Sequence, residues 1–155
     1  MFALRLVRLI EDHADQLSAG LVKRLKDSEA CDELLRRVPD TELKHRAFEI
    51  YRHVSDWLIT KSESEVEERY IGLGARRAQQ DVPFSQMLFA IETVKETIWG
   101  FLRQEGLFEP QELLGEFELL FALDRFFDRI VYFASVGYEG ARARQVAHAL
   151  AGHSA

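Results

Sequence analysis

Between positions 113 and 133, apolar side chains recur at three- and four-residue steps along two separate stripes. Leu113, Phe117, Leu120, Phe127 and Val131 form one, and Leu119, Leu123, Phe126, Ile130 and Phe133 form the other. Helical spacing turns these stripes into two faces of one helix, and a helix apolar on two faces needs two partners. The chain has 155 residues, one domain's worth. A single small core does not need nine of its eleven Phe residues within positions 84–133. The second partner is therefore expected to be another copy of the chain.

The rest of the sequence is helical in pattern and shows no strand-like alternation, internal repeat or linker. Leu6, Ile10, Ala14, Leu17, Leu21 and Leu25 predict a first helix over about 2–26. A short turn at Glu33–Arg37 follows, and Val38-Pro39-Asp40 breaks the chain, with Asp40 as N-cap of a second helix. Its stripe is Leu43, Ala47, Ile50, Val54 and Leu58, and Lys61–Ser64 ends it. Ser62 with Glu65, or Ser64 with Glu67, fits a capping box for the third helix. Gly72 and Gly74 lie inside that helix, each costing about 1 kcal/mol relative to Ala, so either a backbone approaches closely or the helix bends. Pro83 opens a fourth helix over 84–105, and Gly106 suits its C-terminal cap. Pro110 opens the fifth, which reaches at least Ser135 before Gly137–Gly140 is expected to interrupt it. Residues 1–140 thus read as one helical domain and 141–155 as a short helical or frayed tail.

Charge and composition remove several classes of function. With 26 acids against 20 bases the net charge is −6, unsuited to a phosphate backbone. One cysteine, Cys31, makes neither an internal disulfide nor a cysteine-rich metal site. The first residues lack the apolar run of a signal peptide. Glu118, Asp124, Arg125, Asp128 and Arg129 interrupt the most apolar stretch, so no membrane span is expected. The expectation is a soluble, acidic, cytoplasmic domain.

No catalytic constellation is visible. Glu42 and His45 have the Glu-x-x-His spacing of di-iron bundles, but one pair supplies too few ligands, and a solvated helix face is the stronger reading. His13 and His53 each lie beside an apolar stripe, where a histidine is more often satisfied by a carbonyl or carboxylate than by haem iron. Cys31 neighbours acids, which disfavour a thiolate. Asp124 and Asp128 lack a nucleophile or phosphate loop beside them. They read better as a structural ion network with Arg76 and Arg77 than as an acid–base pair.

Three strings carry a family resemblance: Tyr70-Ile71-Gly72-Leu73-Gly74-Ala75-Arg76-Arg77-Ala78-Gln79-Gln80-Asp81-Val82-Pro83-Phe84, Leu123–Phe133 continuing to Gly137-Tyr138-Glu139, and Glu11-Asp12-His13-Ala14. Over residues 4–140 the chain resembles the N-terminal domain of the RsbRD-type co-antagonists of bacterial stress signalling. Similar domains precede histidine-kinase modules. The resemblance implies a helical input module without catalytic residues, serving a separate output domain. It also implies a globin-like topology without haem. Laid on the pattern of haem-binding sensor globins, the segment before Pro83 places Arg76 near the proximal histidine, and no histidine occurs between His53 and His148. The same resemblance implies that the last two long helices pair across a dimer as a four-helix bundle.

The expected protein is thus an all-α bundle of five main helices, acting as a non-enzymatic bacterial signalling input domain without cofactor or metal. Its partners are a second copy, through Phe117, Leu120, Phe127 and Val131, and a signalling protein or fused output domain. An isolated input domain and a stand-alone paralogue both fit. The alternative is a haem or small-ligand binding helical protein using the aromatic-rich interior.

Overall fold

The computed structural model describes residues 3–105 and 110–153, with backbone alone at the last. Gly106, the expected helix cap, lies outside the described residues. Among the described residues the chain forms seven α-helices and no strand. They are α1 (Leu4–Asp12), α2 (Ala14–Asp27), α3 (Asp32–Arg37), α4 (Asp40–Arg52), α5 (Glu63–Gln79), α6 (Phe84–Glu105) and α7 (Leu113–His153). Short 3-10 turns lie at Glu29–Cys31 and Pro110–Glu112, and a π-helical turn at Asp56–Thr60.

The expected first helix divides at His13. Its backbone leaves helical geometry (φ −104°, ψ 17°), and its Nδ1 lies 2.8 Å from the Leu9 carbonyl oxygen. That side chain engages a carbonyl within the preceding turn while its own N–H is shared between Leu9 and Ile10. The second helix similarly stops at Arg52, and the π turn carries the chain on so that Trp57 points into the core and donates Nε1–H to the Glu49 carbonyl at 3.2 Å. The capping box is the Ser62–Glu65 one, formed in both directions.

One apolar core runs through the bundle, from Leu6 and Ile10 in α1 to Phe127 and Ile130 in α7. α2 packs on α4 and α6, and the largest interface joins α5 to α7. Gly74 and Gly137 shape that interface. A Cβ on Gly74 would stand 1.9 Å from the Ala134 carbonyl oxygen, and one on Gly137 would stand 2.0 Å from that of Ile71. The two backbones touch, which is the close approach that glycine inside a helix implies. Gly72 faces open space instead.

Gly137–Gly140 does not interrupt the last helix: α7 is continuous over 41 residues. Intrinsic propensity argues for a break there, but contact with α5 outweighs it. Further bonds latch this stretch to the corner between α5 and α6. Tyr138 donates its hydroxyl to the Val82 carbonyl at 2.6 Å, Gln145 reaches the Ala78 carbonyl at 3.3 Å, and Arg142 pairs with Asp81 at 3.3 Å. Asp81 itself sits at φ 58°, turning the chain between the two helices.

Candidate functional site

The α5 sequence places Arg69, Arg76 and Arg77 within two turns of one another, and α4 brings Glu42 and Arg46, one turn apart, alongside them. Glu42 is the anionic centre of this group. Arg76 donates Nε–H and Nη2–H to its two oxygens at 2.9 and 2.6 Å, a forked geometry that Lys cannot reproduce. Arg77 donates Nη1–H to Oε2, and the Gln80 amide reaches the same oxygen at 3.3 Å. The Arg76 bonds, chiefly, hold the Glu42 carboxyl down at about 2. Partial burial opposes the shift, and Arg77 and Gln80 support it. Arg77 is only 4% exposed, so it is the member of the cluster that most needs a counter-charge.

Arg46 differs. Among the described residues it makes no ion pair, and neither does Arg69, whose guanidinium lies 5.3 Å from the centre of the Trp57 ring and also acts on the Tyr70 hydroxyl. Burial first, and then the positive charges of Arg69 and Arg77, depress the Arg46 pKa.

Arg46, Arg69 and Arg77 line a partly open pocket of about 60 Å³. Its walls are apolar: Leu21, Leu43, Ile50, Met87, Phe127 and Ile130, from α2, α4, α6 and α7. Tyr70, which is 2% exposed, lines it too. The Tyr70 hydroxyl, buried in the core, makes no well-aligned hydrogen bond among the described residues; the neighbouring Arg69 guanidinium is near enough to act on it as a donor and, with Arg46, as a charge. Burial pushes its pKa well above the ordinary tyrosine value. Arg46 and Arg69 also line an open surface hollow of about 440 Å³, together with Trp57, Lys61, Glu65 and Glu68.

The residues singled out in the sequence are distributed differently from expectation. Arg76 and Arg77 do join an ion network, but their carboxylate is Glu42. Asp124 and Asp128 are exposed on α7, with Asp124 3.9 Å from Lys95. Glu42 escaped notice because it lies off the apolar stripe of α4 and was weighed only as a metal ligand beside His45. In the fold both of its oxygens are bonded to arginines, and His45 is exposed. Of the proposed interface positions, Phe117 is exposed, Leu120 and Val131 are half-buried, and Phe127 is buried in the protomer's own core at 1%. The α7 stripe containing Phe127 is wide enough to turn partly toward the cavity, so its members do not share one environment.

The other candidates have local duties. His13 packs its ring 5.2 Å from Phe101, and His53 lies 3.8 Å from both Glu49 and Asp56. Cys31 is fully buried, and burial, more than the neighbouring Asp32, pushes its thiol up to about 11. The polar sequence around it does not suggest that burial. No cluster of three or more His, Cys, Asp or Glu side chains suited to a metal ion occurs among the described residues.

Neither a curated protein nor a solved structure matches the chain. A family model does, the RsbT co-antagonist protein rsbRD N-terminal domain, over residues 4–151. That span takes in α1 to α6 and α7 as far as residue 151, including its part beyond Gly140, and the Arg76–Arg77 segment that meets Glu42. The chain therefore belongs to the rsbRD N-terminal domain family, a family of regulatory domains in stress signalling.

Proposed function

We propose that this domain is a non-enzymatic signalling input that works as a homodimer and hands its state to a signalling protein or a fused output domain. The observation that carries the reading is the outer face of α7. Leu114, Phe121 and Tyr132 are 74%, 72% and 64% exposed, and Phe117, stacked on Phe121, is 42% exposed. An apolar surface of this kind marks an interaction site rather than a solvent face. The proposed interface is Phe117, Leu120 and Val131, widened to Leu114, Phe121 and Tyr132. Phe127 leaves the set because it serves the core of its own protomer.

The mechanism is a shift in population between two packings of the paired helices. Residues 1–140 supply the sensing body, and 141–155 supply the exit, which continues the same helix as far as His153. No helix among the described residues is long and apolar enough to cross a membrane, and a cytoplasmic location agrees with that. Globin-like topology belongs to this proposal through the family resemblance. The haem version of the alternative reading loses ground on size, because an apolar cavity of about 150 Å³ takes one benzene and this one is smaller. Its small-ligand version retains the support of the cavity.

Light scattering at high micromolar concentration tests the dimer. The expected result is twice the protomer mass, and a Phe117→Asp/Phe121→Asp variant that keeps its helical circular dichroism but scatters as a monomer. A wild-type chain that remains monomeric at that concentration overturns the reading.

A further inference from the structure

We infer that the cleft between the π turn, the start of α5 and α7 binds a small aromatic carboxylate, its ring against Val66 and Phe126 and its charge at Lys61 and Arg125. The cleft has the room. It measures about 260 Å³, and an apolar cavity of about 150 Å³ already takes one benzene, so a single or fused ring fits. Its walls suit a flat apolar group. Trp57, Val66 and Phe126 are buried side chains that line it, and the Trp57 and Phe126 rings stack with centres 5.7 Å apart and 27° between their planes. The π turn sets the arrangement: it carries Trp57 into the core and leaves Lys61, just beyond it, exposed at the mouth.

The rim carries the opposite sign to the protein as a whole. The chain has a net charge of −6, yet Lys61, Arg125 and Arg129 line this cleft, with Glu63 as their acidic neighbour. Glu63 is taken up by Arg129. Lys61 and Arg125 hold no ion pair among the described residues, and Lys61 instead lies 5.6 Å from the centre of the Trp57 ring. Two uncommitted cations beside an apolar floor recognise a ring that bears an anion, and a carboxylate matches the guanidinium fork of Arg125. Arg125 also follows Phe121 by four residues and precedes Tyr132 by seven, so all three share the outward face of α7. A ligand that draws its guanidinium toward the cleft therefore acts at the edge of the proposed dimer face.

The inference rests on the input-domain reading for its biological sense, since it gives the chemical class of the input. Its physical test does not depend on dimerisation. Calorimetry and thermal melting with benzoate and 2-naphthoate probe the cleft directly, with 2-naphthalenemethanol, 2-naphthylmethylamine and acetate as comparisons. 2-Naphthoate is expected to bind at one equivalent per chain and raise the melting temperature, and benzoate to bind more weakly because it covers less of the floor. The alcohol should bind at least about tenfold more weakly than 2-naphthoate, and the amine and acetate should not bind. Lys61→Gln/Arg125→Gln should weaken 2-naphthoate about tenfold and leave the alcohol unchanged. Neither side chain holds an ion pair among the described residues, so this variant should keep its helical circular dichroism. Ala122→Leu, which fills the wall on α7, should weaken acid and alcohol alike. Arg46→Gln, outside the cleft, should change neither. The inference fails if neither carboxylate binds, if the amine or acetate binds as well as 2-naphthoate, or if either cleft variant binds 2-naphthoate like the wild type. It fails equally if Arg46→Gln weakens 2-naphthoate as much as the double variant does. Light scattering on the same samples reports separately on the dimer, so either reading can fall without the other.

Discussion

The two working sides of α5 are built in opposite ways. Toward α7 it presents Gly74, and the contact is made by backbone atoms with no side chain between them. Toward α4 it presents Arg69, Arg76 and Arg77, and the contact is made by long charged side chains around one carboxylate. The first side is complete in itself: dispersion contacts at close range are insensitive to pH, salt or solute. The second is one anion shared among several cations, and its balance changes with protonation of Glu42. The difference separates where the molecule is fixed from where it is free to respond.

The strongest challenge to this contrast is a methyl group on the glycine side. Gly74→Ala and Gly137→Ala should each destabilise the protein by about 3 kcal/mol, because backbone rather than a flexible side chain must move aside. The double variant should lose most of a typical domain's stability and unfold in mild denaturant. If chemical denaturation shows either single change to be neutral, the seam is not fixed.

On the arginine side, Glu42→Gln removes the one carboxylate bonded to the buried Arg77 and should cost about 3 kcal/mol in the same measurement. The acid dependence follows. The Glu42 carboxyl lies at about 2 in the fold, against an ordinary value of 4.5. Its contribution is therefore full above pH 4.5 and declines as the pH falls toward 2, because the unfolded chain takes up the proton first. Glu42→Gln should flatten the stability profile within that window. A variant as acid-sensitive as the wild type would remove Glu42 from the account. The smallest effect belongs to the third face of α5, where Gly72 meets open space. Gly72→Ala should raise stability by up to about 1 kcal/mol, through helix propensity alone. A loss there instead would mean that all of α5 resents a side chain, and the contrast with Gly74 would vanish.

The pattern of what was legible in the sequence follows the range of the forces involved. Helical class, the break at Pro39 and the Ser62–Glu65 cap depend on neighbours within a turn, and the residues show them; Asp40 is not the expected N-cap, because Pro39 takes that place and Asp40 is the first residue of α4. The division at His13 is local too, but it turns on a ring bonded to the Leu9 carbonyl that an apolar stripe does not register; the continuity of α7 through Gly137 depends on an atom the local pattern does not contain. At Gly137 that atom is the Ile71 backbone, remote in the chain. Arg76 and Arg77 were recognisable as members of an ion network, but Asp124 and Asp128 look like equally good partners until the fold brings α4 beside α5. The stripe turns Phe127 outward with Phe117 and Leu120, yet it is buried. Only the tilt of α7 against its neighbours shows that it faces in. The cavity had no local signal at all, since its lining comes from five helices.

The length of α7 has a mechanical consequence. At about 1.5 Å per residue its 41 residues make a rod of about 60 Å. Phe127 and Ile130 touch the cavity near the middle of that rod, and Gly137 bears on α5 only two turns further on. In the proposed mechanism the seam is the fulcrum and the exposed segment around Val146 and Leu150 the moving end. A tilt of about one degree about Gly137 moves the end at residue 153, about 24 Å away, by about 0.4 Å, about twice the displacement at Phe127 and Ile130.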